Sequence, residues 1–244
     1  MTNQKKCYSL LLFFICSPLL LSQSKSYIVT CSKLGMWMEP DSNYKRLYTL
    51  AEGEIVTLID AVGNGWSKIE YKDTVGFVPS KNITEIDLKD FLGWEKISLS
   101  SGDKPDCSNF SPEIDSTIDN YLKVIIGQHA DVVLKLMNHK TGKCIRYVYI
   151  KRKEITYLRN IPQGVYYLKI AFGKDWRQKI EGDQCIGKFM IDPIYQKGEE
   201  SLNFNIIETE NSYQVSYYEL FLDVTYSEGN EFHTDDISES EFNK

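Results

Sequence analysis

The sequence predicts an all-β protein, built as a small barrel followed by an antiparallel β-sandwich. β-branched and aromatic runs recur every 8–14 residues through most of the chain, and turn sequences such as Gly63–Gly65 and Pro162–Gly164 separate them. No stretch of a dozen residues shows convincing helical periodicity. With 244 residues, of which 42% are hydrophobic, the chain is long enough to bury a core in each part.

The first residues have the order of an export signal. Two lysines precede an apolar run over 10–21, and small residues follow at 22–26. This order predicts a secretory signal peptide over residues 1–26, cleaved after Ser24 or Ser26. A retained anchor is the alternative, although the run is shorter than the roughly 20 apolar residues that span a bilayer. We expect an exported protein, periplasmic, in the cell envelope or secreted, without a membrane span in the mature chain.

Changes in composition divide the rest of the chain. Strand patterns cover 27–86 and 120–226, and the residues between them, 87–119, contain Ser-, Pro- and Gly-rich turns. We interpret 87–119 as a linker with a short helical turn near its start. The final residues, 227–244, are rich in Asp and Glu and predict a disordered acidic tail.

Four short motifs follow one another in the barrel segment. They are Leu-Gly-Met-Trp-Met-Glu-Pro at 34–40, Leu-Ala-Glu-Gly-Glu-Ile-Val at 50–56, Gly-Trp-Ser-Lys-Ile at 65–69 and Gly-Phe-Val at 76–78. This ordered set resembles the bacterial SH3 (SH3b) family over about a quarter of the chain. The resemblance implies a small barrel and attachment to cell-wall peptides or another envelope component.

The chain departs from the SH3b pattern where a ligand would bind. Trp37 and Glu39 stand where the family usually has Arg and Gly, so the loop that walls the groove differs. One interpretation is a shallow groove for a peptide or glycan-peptide, with the acidic side chains contacting cationic groups. In the other, Trp66 and Phe77 belong to the core and the loop only covers it. The candidate ligand-binding residues are Trp37, Glu39, Asp41, Tyr44, Trp66 and Phe77.

A possible catalytic motif lies in the linker. Asp-Cys-Ser-Asn-Phe at 106–110 resembles the nucleophile motif of NlpC/P60 cysteine peptidases, which frequently follow SH3b domains. A thiolate nucleophile needs a base, and the nearest candidate is His129. The apolar helix that would carry Cys107 is replaced by Ser-Pro-Glu, so we expect no enzyme and no catalytic residue. The alternative function is a cell-wall-directed cysteine hydrolase, or its accessory or inhibitor, centred on Cys107 and His129.

Four cysteines follow the signal: Cys31, Cys107, Cys144 and Cys185. An exported chain keeps disulfides, and four cysteines allow three pairings between which the sequence does not choose. Buried free thiols are the alternative. No pair has Cys-x-x-Cys spacing, so we expect neither a metal site nor a cofactor.

The sandwich segment carries a second, weaker resemblance. Asn-Ile-Pro-Gln-Gly-Val-Tyr-Tyr-Leu-Lys-Ile at 160–170, with Thr-Gly-Lys at 141–143, resembles a hairpin of carboxypeptidase regulatory-like (transthyretin-like) β-sandwiches. Such modules usually act as accessory or structural units. We therefore expect the sandwich to be a spacer or a platform for a partner.

Cations are concentrated in the sandwich segment. Lys151, Arg152 and Lys153 are three adjacent cations that form its most concentrated basic patch, predicted at the tip of a turn. A basic sheet face interleaved with tyrosines would hold an anionic polymer or an acidic partner, or dock the chain's own acidic tail. Solubility and protection of edge strands are the plain alternatives. Nucleic acid is not expected as a partner, because the protein is acidic and exported. The oligomeric state stays open.

Overall fold

The computed structural model describes residues 25–105, 109–224 and 232–244, and it confirms the all-β fold. The predicted signal peptide falls almost wholly on residues 1–24, outside the described part of the chain. Its last two residues, Lys25 and Ser26, already belong to the first strand. Within the described ranges, no helix has the length and apolar character needed to cross a bilayer.

The barrel is a curled antiparallel half-barrel sheet. In the described chain its strand order is β3-β2-β6-β5-β4-β1-β7. A 3-10 turn at Ser80–Asn82 connects β6 to β7. The strands are β1 (Lys25–Val29), β2 (Lys33–Trp37), β3 (Arg46–Ala51), β4 (Ile55–Gly63), β5 (Trp66–Tyr71), β6 (Thr74–Pro79) and β7 (Ile83–Ile86).

Alternation along each strand fills the inside of this sheet. Successive side chains of a strand point to opposite faces, so every second residue of β2, β5 and β6 turns inward. Leu34, Met36, Ile69 and Val78 are inward residues that are apolar and at most 2% exposed, and they form the centre of the barrel core. The other residues of these strands therefore face outward, and they form the surface on which the candidate groove residues lie.

The remaining strands form the sandwich. A 3-10 helix at Leu88–Phe91, capped by Asp87, precedes them. The strands are β8 (Glu95–Lys96), β9 (Tyr121–Ile126), β10 (Asp131–Asn138), β11 (Cys144–Ile150), β12 (Ile155–Arg159), β13 (Val165–Glu181), β14 (Gln184–Gly198), β15 (Leu202–Asn203), β16 (Ile207–Glu208), β17 (Tyr213–Gln214), β18 (Tyr217–Leu222) and β19 (Thr234–Asp236).

The main core of the sandwich lies between two sheets. The larger sheet has the order β11-β10-β13-β14-β19, and the smaller one has the order β12-β9-β18. Leu122 and Val124 of the small sheet pack against Leu134 and Ile170 of the large sheet. The pairing is antiparallel as predicted, except that β18 runs parallel to β9.

The outer face of the large sheet is also covered. Docking of the acidic tail was one alternative for the basic sheet face, whereas packing of the linker on it was not expected. Ile97, Leu99 and Phe110 of the predicted linker pack on it, and β8 pairs with β13. The predicted disordered tail is wrong for 232–244. These residues form β19 and helix α1 (Glu239–Asn243), and Phe242 is buried in this outer cluster. Residues 225–231 lie outside the described part of the chain.

Charged side chains join the barrel to the sandwich. The Glu52 carboxylate, in the turn between β3 and β4, pairs with the Arg152 guanidinium. Arg152 Nε lies 3.4 Å from Asp131 Oδ1, and Tyr149 Oη donates a 2.7 Å hydrogen bond to Asp131 Oδ2. Burial, followed by the charge of Asp131, raises the pKa of Tyr149, so its hydroxyl stays a donor.

A second ionic group lies beside the same turn. Asp175 has a fully buried side chain, and its Oδ2 accepts a 2.8 Å hydrogen bond from Arg177 Nε. Arg177 Nη2 donates to Gly53 O at 2.9 Å, and Lys96 Nζ lies 3.3 Å from Asp175 Oδ1. Gly53 has a φ of +80°, and a Cβ there would lie 2.2 Å from Asp175 Oδ1. Only glycine fits at position 53 of this turn, because a side chain there would collide with Asp175.

Candidate binding site

The candidate site is the outer face of strands β2, β5 and β6. Trp37 is the register partner of Phe77, and Phe77 is the partner of Lys68 on the next strand. Trp66 stands two residues before Lys68, so it points to the same face. The structure thus brings Trp37, Trp66 and Phe77 together on one surface. The interpretation that places Trp66 and Phe77 in the core is wrong, because both are only partly buried.

The two indole rings of this face touch. The centroids of Trp37 and Trp66 are 5.6 Å apart with an interplanar angle of 85°, an edge-to-face arrangement. Arg46 Cζ lies 5.5 Å from the Trp37 ring centroid, and Lys68 Nζ lies 6.0 Å from that of Phe77. Cations over aromatic faces hold the rings in place and add positive charge to the surface.

The Trp37 ring is seated on a glycine. Gly35 precedes Trp37 by two residues on β2 and therefore shares its face. A Cβ at Gly35 would lie 2.3 Å from Cη2 of Trp37, so the ring lies directly over the bare backbone. Gly35 is not among the predicted site residues, although the Gly-x-Trp spacing in a strand is the signal for it.

The other predicted groove residues lie on the adjoining loop between β2 and β3. Met38 N donates to Lys45 O at 3.0 Å and closes the base of this loop. Within it, Asp41 Oδ1 accepts a 2.9 Å hydrogen bond from Asn43 N, and the Tyr44 side chain is 53% exposed. Glu39 is exposed on the same loop. The site is therefore an aromatic, locally cationic face bordered by an acidic loop.

The predicted basic patch is not an open cluster of three cations. Arg152 is engaged by Glu52 and Asp131, and its side chain is only 23% exposed. Lys153 is exposed with a φ of +65°, and Lys151 is partly buried. Arg152 therefore serves the contact between barrel and sandwich, which the local sequence of the turn did not reveal.

His129 has a polar partner that the sequence did not indicate. Its Nδ1 lies 2.9 Å from Asp223 Oδ1, and Asp223 also accepts from Val224 N at 2.8 Å. A carboxylate orients an imidazole in many active sites, so this pair provides half of the arrangement that a cysteine hydrolase needs. Cys107, the other half, lies outside the described residues.

The described cysteines are in different states. Cys185 is disulfide-bonded, whereas Cys31 and Cys144 are free thiols among the described residues. Cys144 is far from His129 along the sheet. Cys144 pairs with Met137 at the far end of β10, about 20 Å from the Asp131 end by strand rise. The bond to Cys185 therefore has its partner outside the described residues.

We expect Cys144 to react slowly with alkylating reagents at neutral pH. Burial raises the pKa of its thiol from the ordinary value of 9.0 to about 11, and only the thiolate is nucleophilic. Its alkylation rate in the folded protein should keep rising up to about pH 11. Mass spectrometry of alkylated peptides over a pH series measures this, with urea-unfolded protein as the control. A rate that levels off by pH 9 in the folded protein would contradict it.

These observations define the class of the barrel and then its family. A curled antiparallel half-barrel with an aromatic outer face and a long loop beside it is an SH3-like module. Residues 39–84 match the family model of the bacterial SH3 domain, so the chain contains this domain and the SH3b resemblance is confirmed. Trp37 lies just before the matched range. The chain has no match among the curated proteins searched.

Bacterial SH3 domains commonly bind cell-wall components, and they are typical of cell-envelope or exported proteins. The domain thus suggests a module for cell-wall binding.

Proposed function

We propose that this protein is an exported, non-enzymatic binding protein of the bacterial cell envelope. Its ligand is a peptide or glycan-peptide of the cell wall, held on the outer face of the barrel. The observation that carries the proposal is the edge-to-face pair of Trp37 and Trp66 beside Phe77, within or next to a bacterial SH3 domain. The sandwich acts as a spacer and as a platform for a partner.

The chemistry of this face suits a wall peptide attached to sugar. Partly exposed indole rings provide flat apolar area for sugar rings or aliphatic side chains, at a low cost in conformational entropy. Arg46 and Lys68 offer cations to carboxylates, while Glu39 and Asp41 on the loop offer carboxylates to amines. Wall peptides carry both kinds of group, so the acidic loop and the cationic face bind opposite ends of such a ligand.

The pairing of β1 distinguishes between the two predicted cleavage points. β1 starts at Lys25, and Lys25 and Ser26 pair with Leu58 and Thr57 of β4. Cleavage after Ser24 leaves this pairing intact, whereas cleavage after Ser26 removes it. We therefore expect the protein recovered from the culture or envelope to begin at Lys25. The intact mass of the purified protein measures this, and a first residue of Tyr27 or an uncleaved chain would contradict it.

Co-sedimentation with isolated cell wall tests the proposed function. The purified mature protein is mixed with washed wall material and centrifuged, and its amount in the pellet is measured against protein concentration. We expect saturable retention that falls when soluble wall fragments are added. Recovery of all the protein in the supernatant, or retention that does not saturate, would count against the proposal.

A further inference from the structure

The outer face of the large sheet of the sandwich has the composition of a protein-binding surface. It is built from aromatic and small apolar residues, with cationic side chains from the same strands. Aromatic residues beside cations dominate the energetic centres of many interfaces. We call it the docking surface. Its residues are Lys135, Tyr147, Lys169, Ala171, Tyr195 and Lys197. The neighbouring part of the same face, around Tyr149 and Trp176, is covered by Ile97 and Leu99 of the linker.

The chain's own C-terminal residues occupy this surface as an added strand and an aromatic anchor. Thr234–Asp236 pair with Gln196–Gly198 at the edge of β14, and Ile237 N donates to Tyr195 O at 2.9 Å. Phe242 is 1% exposed, and its ring centroid is 5.4 Å from that of Tyr195. Strand addition with an anchored side chain is a recurrent mode of peptide recognition.

Lys135 and Lys169 hold the backbone of this segment. Lys169 Nζ donates to Glu241 O at 2.6 Å, and Lys135 Nζ donates to Phe242 O at 2.9 Å. Lys135 Nζ also lies 4.7 Å from the centroid of the Phe242 ring. Since these bonds go to carbonyl oxygens, they depend on the path of the backbone and accept other sequences with an aromatic residue in the same place.

Charge and space also fit a peptide ligand. The segment 232–244 contains four carboxylate side chains and a single lysine, and Asp235 is the register partner of Lys197 in the β14–β19 ladder. A cavity of about 480 Å³ continues past the segment, lined by Phe110, Tyr147 and the final two residues among others. The docking surface is therefore longer than the segment that covers it.

We propose that the docking surface binds an acidic peptide of a partner protein, which adds a strand to β14 and presents an aromatic side chain from a following helical turn, and that residues 232–244 are its resident competitor. The tether gives the resident segment a high effective concentration, commonly in the millimolar range for a short linker. A partner's peptide gains access by displacing it, and the cavity beyond Phe242 offers contacts that the resident segment does not fill. This inference is independent of the barrel site.

The test uses the full chain and a synthetic peptide of residues 232–244 as the probe. A protease recognition sequence is placed within 225–231, and the folded protein is cut there. We expect the fluorescent peptide to bind the cut protein saturably after the released segment is washed away, and to bind the uncut protein at least about tenfold more weakly. A peptide with Phe242→Ala should bind about tenfold more weakly than the unchanged peptide, while a peptide with Ser240→Ala, at an exposed position of the same helix, should bind equally.

A second variant keeps the test decisive if the cut protein unfolds. In the uncut Phe242→Ala chain, we expect faster hydrogen exchange at the β19 amides, unchanged exchange in β10 and β13, and binding of the unchanged peptide in trans. Failure of the peptide to bind either protein, or equal binding of the Phe242→Ala peptide, would make the segment a structural strap only. Dimers of the uncut chain that require Phe242 would assign the surface to a second copy and overturn the proposal for a partner's peptide.

Discussion

Replacing Trp37 by alanine is expected to lower the affinity of the protein for isolated cell wall by about tenfold or more. Loss of an aromatic anchor from a binding surface typically costs 2 kcal/mol or more of binding free energy, roughly thirtyfold in affinity. Trp37 also supports Trp66, whose ring contacts it at 5.6 Å between centroids. The change therefore removes one ring and releases the other. Co-sedimentation over a range of protein concentrations measures the effect.

Two further variants separate binding from folding in that experiment. Trp37→Phe keeps an aromatic ring over Gly35 and should retain part of the affinity. Tyr213→Ala removes a ring that is 71% exposed on the β16–β17 hairpin, and it should leave the affinity unchanged. If the Trp37→Ala variant binds cell wall as tightly as the unchanged protein and has the same melting temperature, the outer face of the barrel is not the binding site.

Replacing Asp175 by asparagine is expected to destabilise the protein by about 3–5 kcal/mol. The Asp175 side chain is fully buried, and its charge balances Arg177 at 2.8 Å and Lys96 at 3.3 Å. Removing one partner of a buried ion pair leaves the other charge without compensation, which is the costly case. Asparagine has nearly the same shape and tolerates the positive φ of 54° at this position. The variant therefore isolates the effect of charge, and urea unfolding measures it.

Asp192→Asn is the matched control for this substitution. Asp192 also has a positive φ and faces a lysine, Lys174, at 3.8 Å. Its side chain is 76% exposed, so the loss of its charge should change the free energy of unfolding by less than about 0.5 kcal/mol. If the two variants are equally stable, the ionic contact does not hold the barrel against the sandwich.

Local patterns predicted the barrel but left open whether Trp66 and Phe77 face outward, which the strand registers settle. Strand alternation in Trp66–Tyr71 and Thr74–Pro79 separates the inward residues Ile69 and Val78 from the outward residues Trp66 and Phe77. The period of two along a strand specifies the face without knowledge of the partner strand. Motif order then supplied the family, which the match over 39–84 confirms.

Contacts between distant segments were not predictable in the same way. Arg152 belongs to a run of three cations, but its partner Glu52 is 100 residues away. The C-terminal residues 232–244 have the composition of a solvated tail, but the apolar side chains of Phe232, Ile237 and Phe242 pack against the sandwich. Composition averages over such a segment, so a few apolar side chains do not change the prediction. The contact between His129 and Asp223 was not predictable either, because the two residues are 94 positions apart in the sequence.

The release of soluble fragments from cell wall tests the central claim most directly. Wall material is incubated with the purified protein, and the protein retained in the pellet and the sugar and peptide released to the supernatant are measured over time in the same tube. A non-enzymatic binder should be retained to a constant level while release stays at the rate seen without protein. Release that grows with time and protein concentration, and that is lost in His129→Ala or Cys107→Ser variants, would contradict the account and establish a hydrolase.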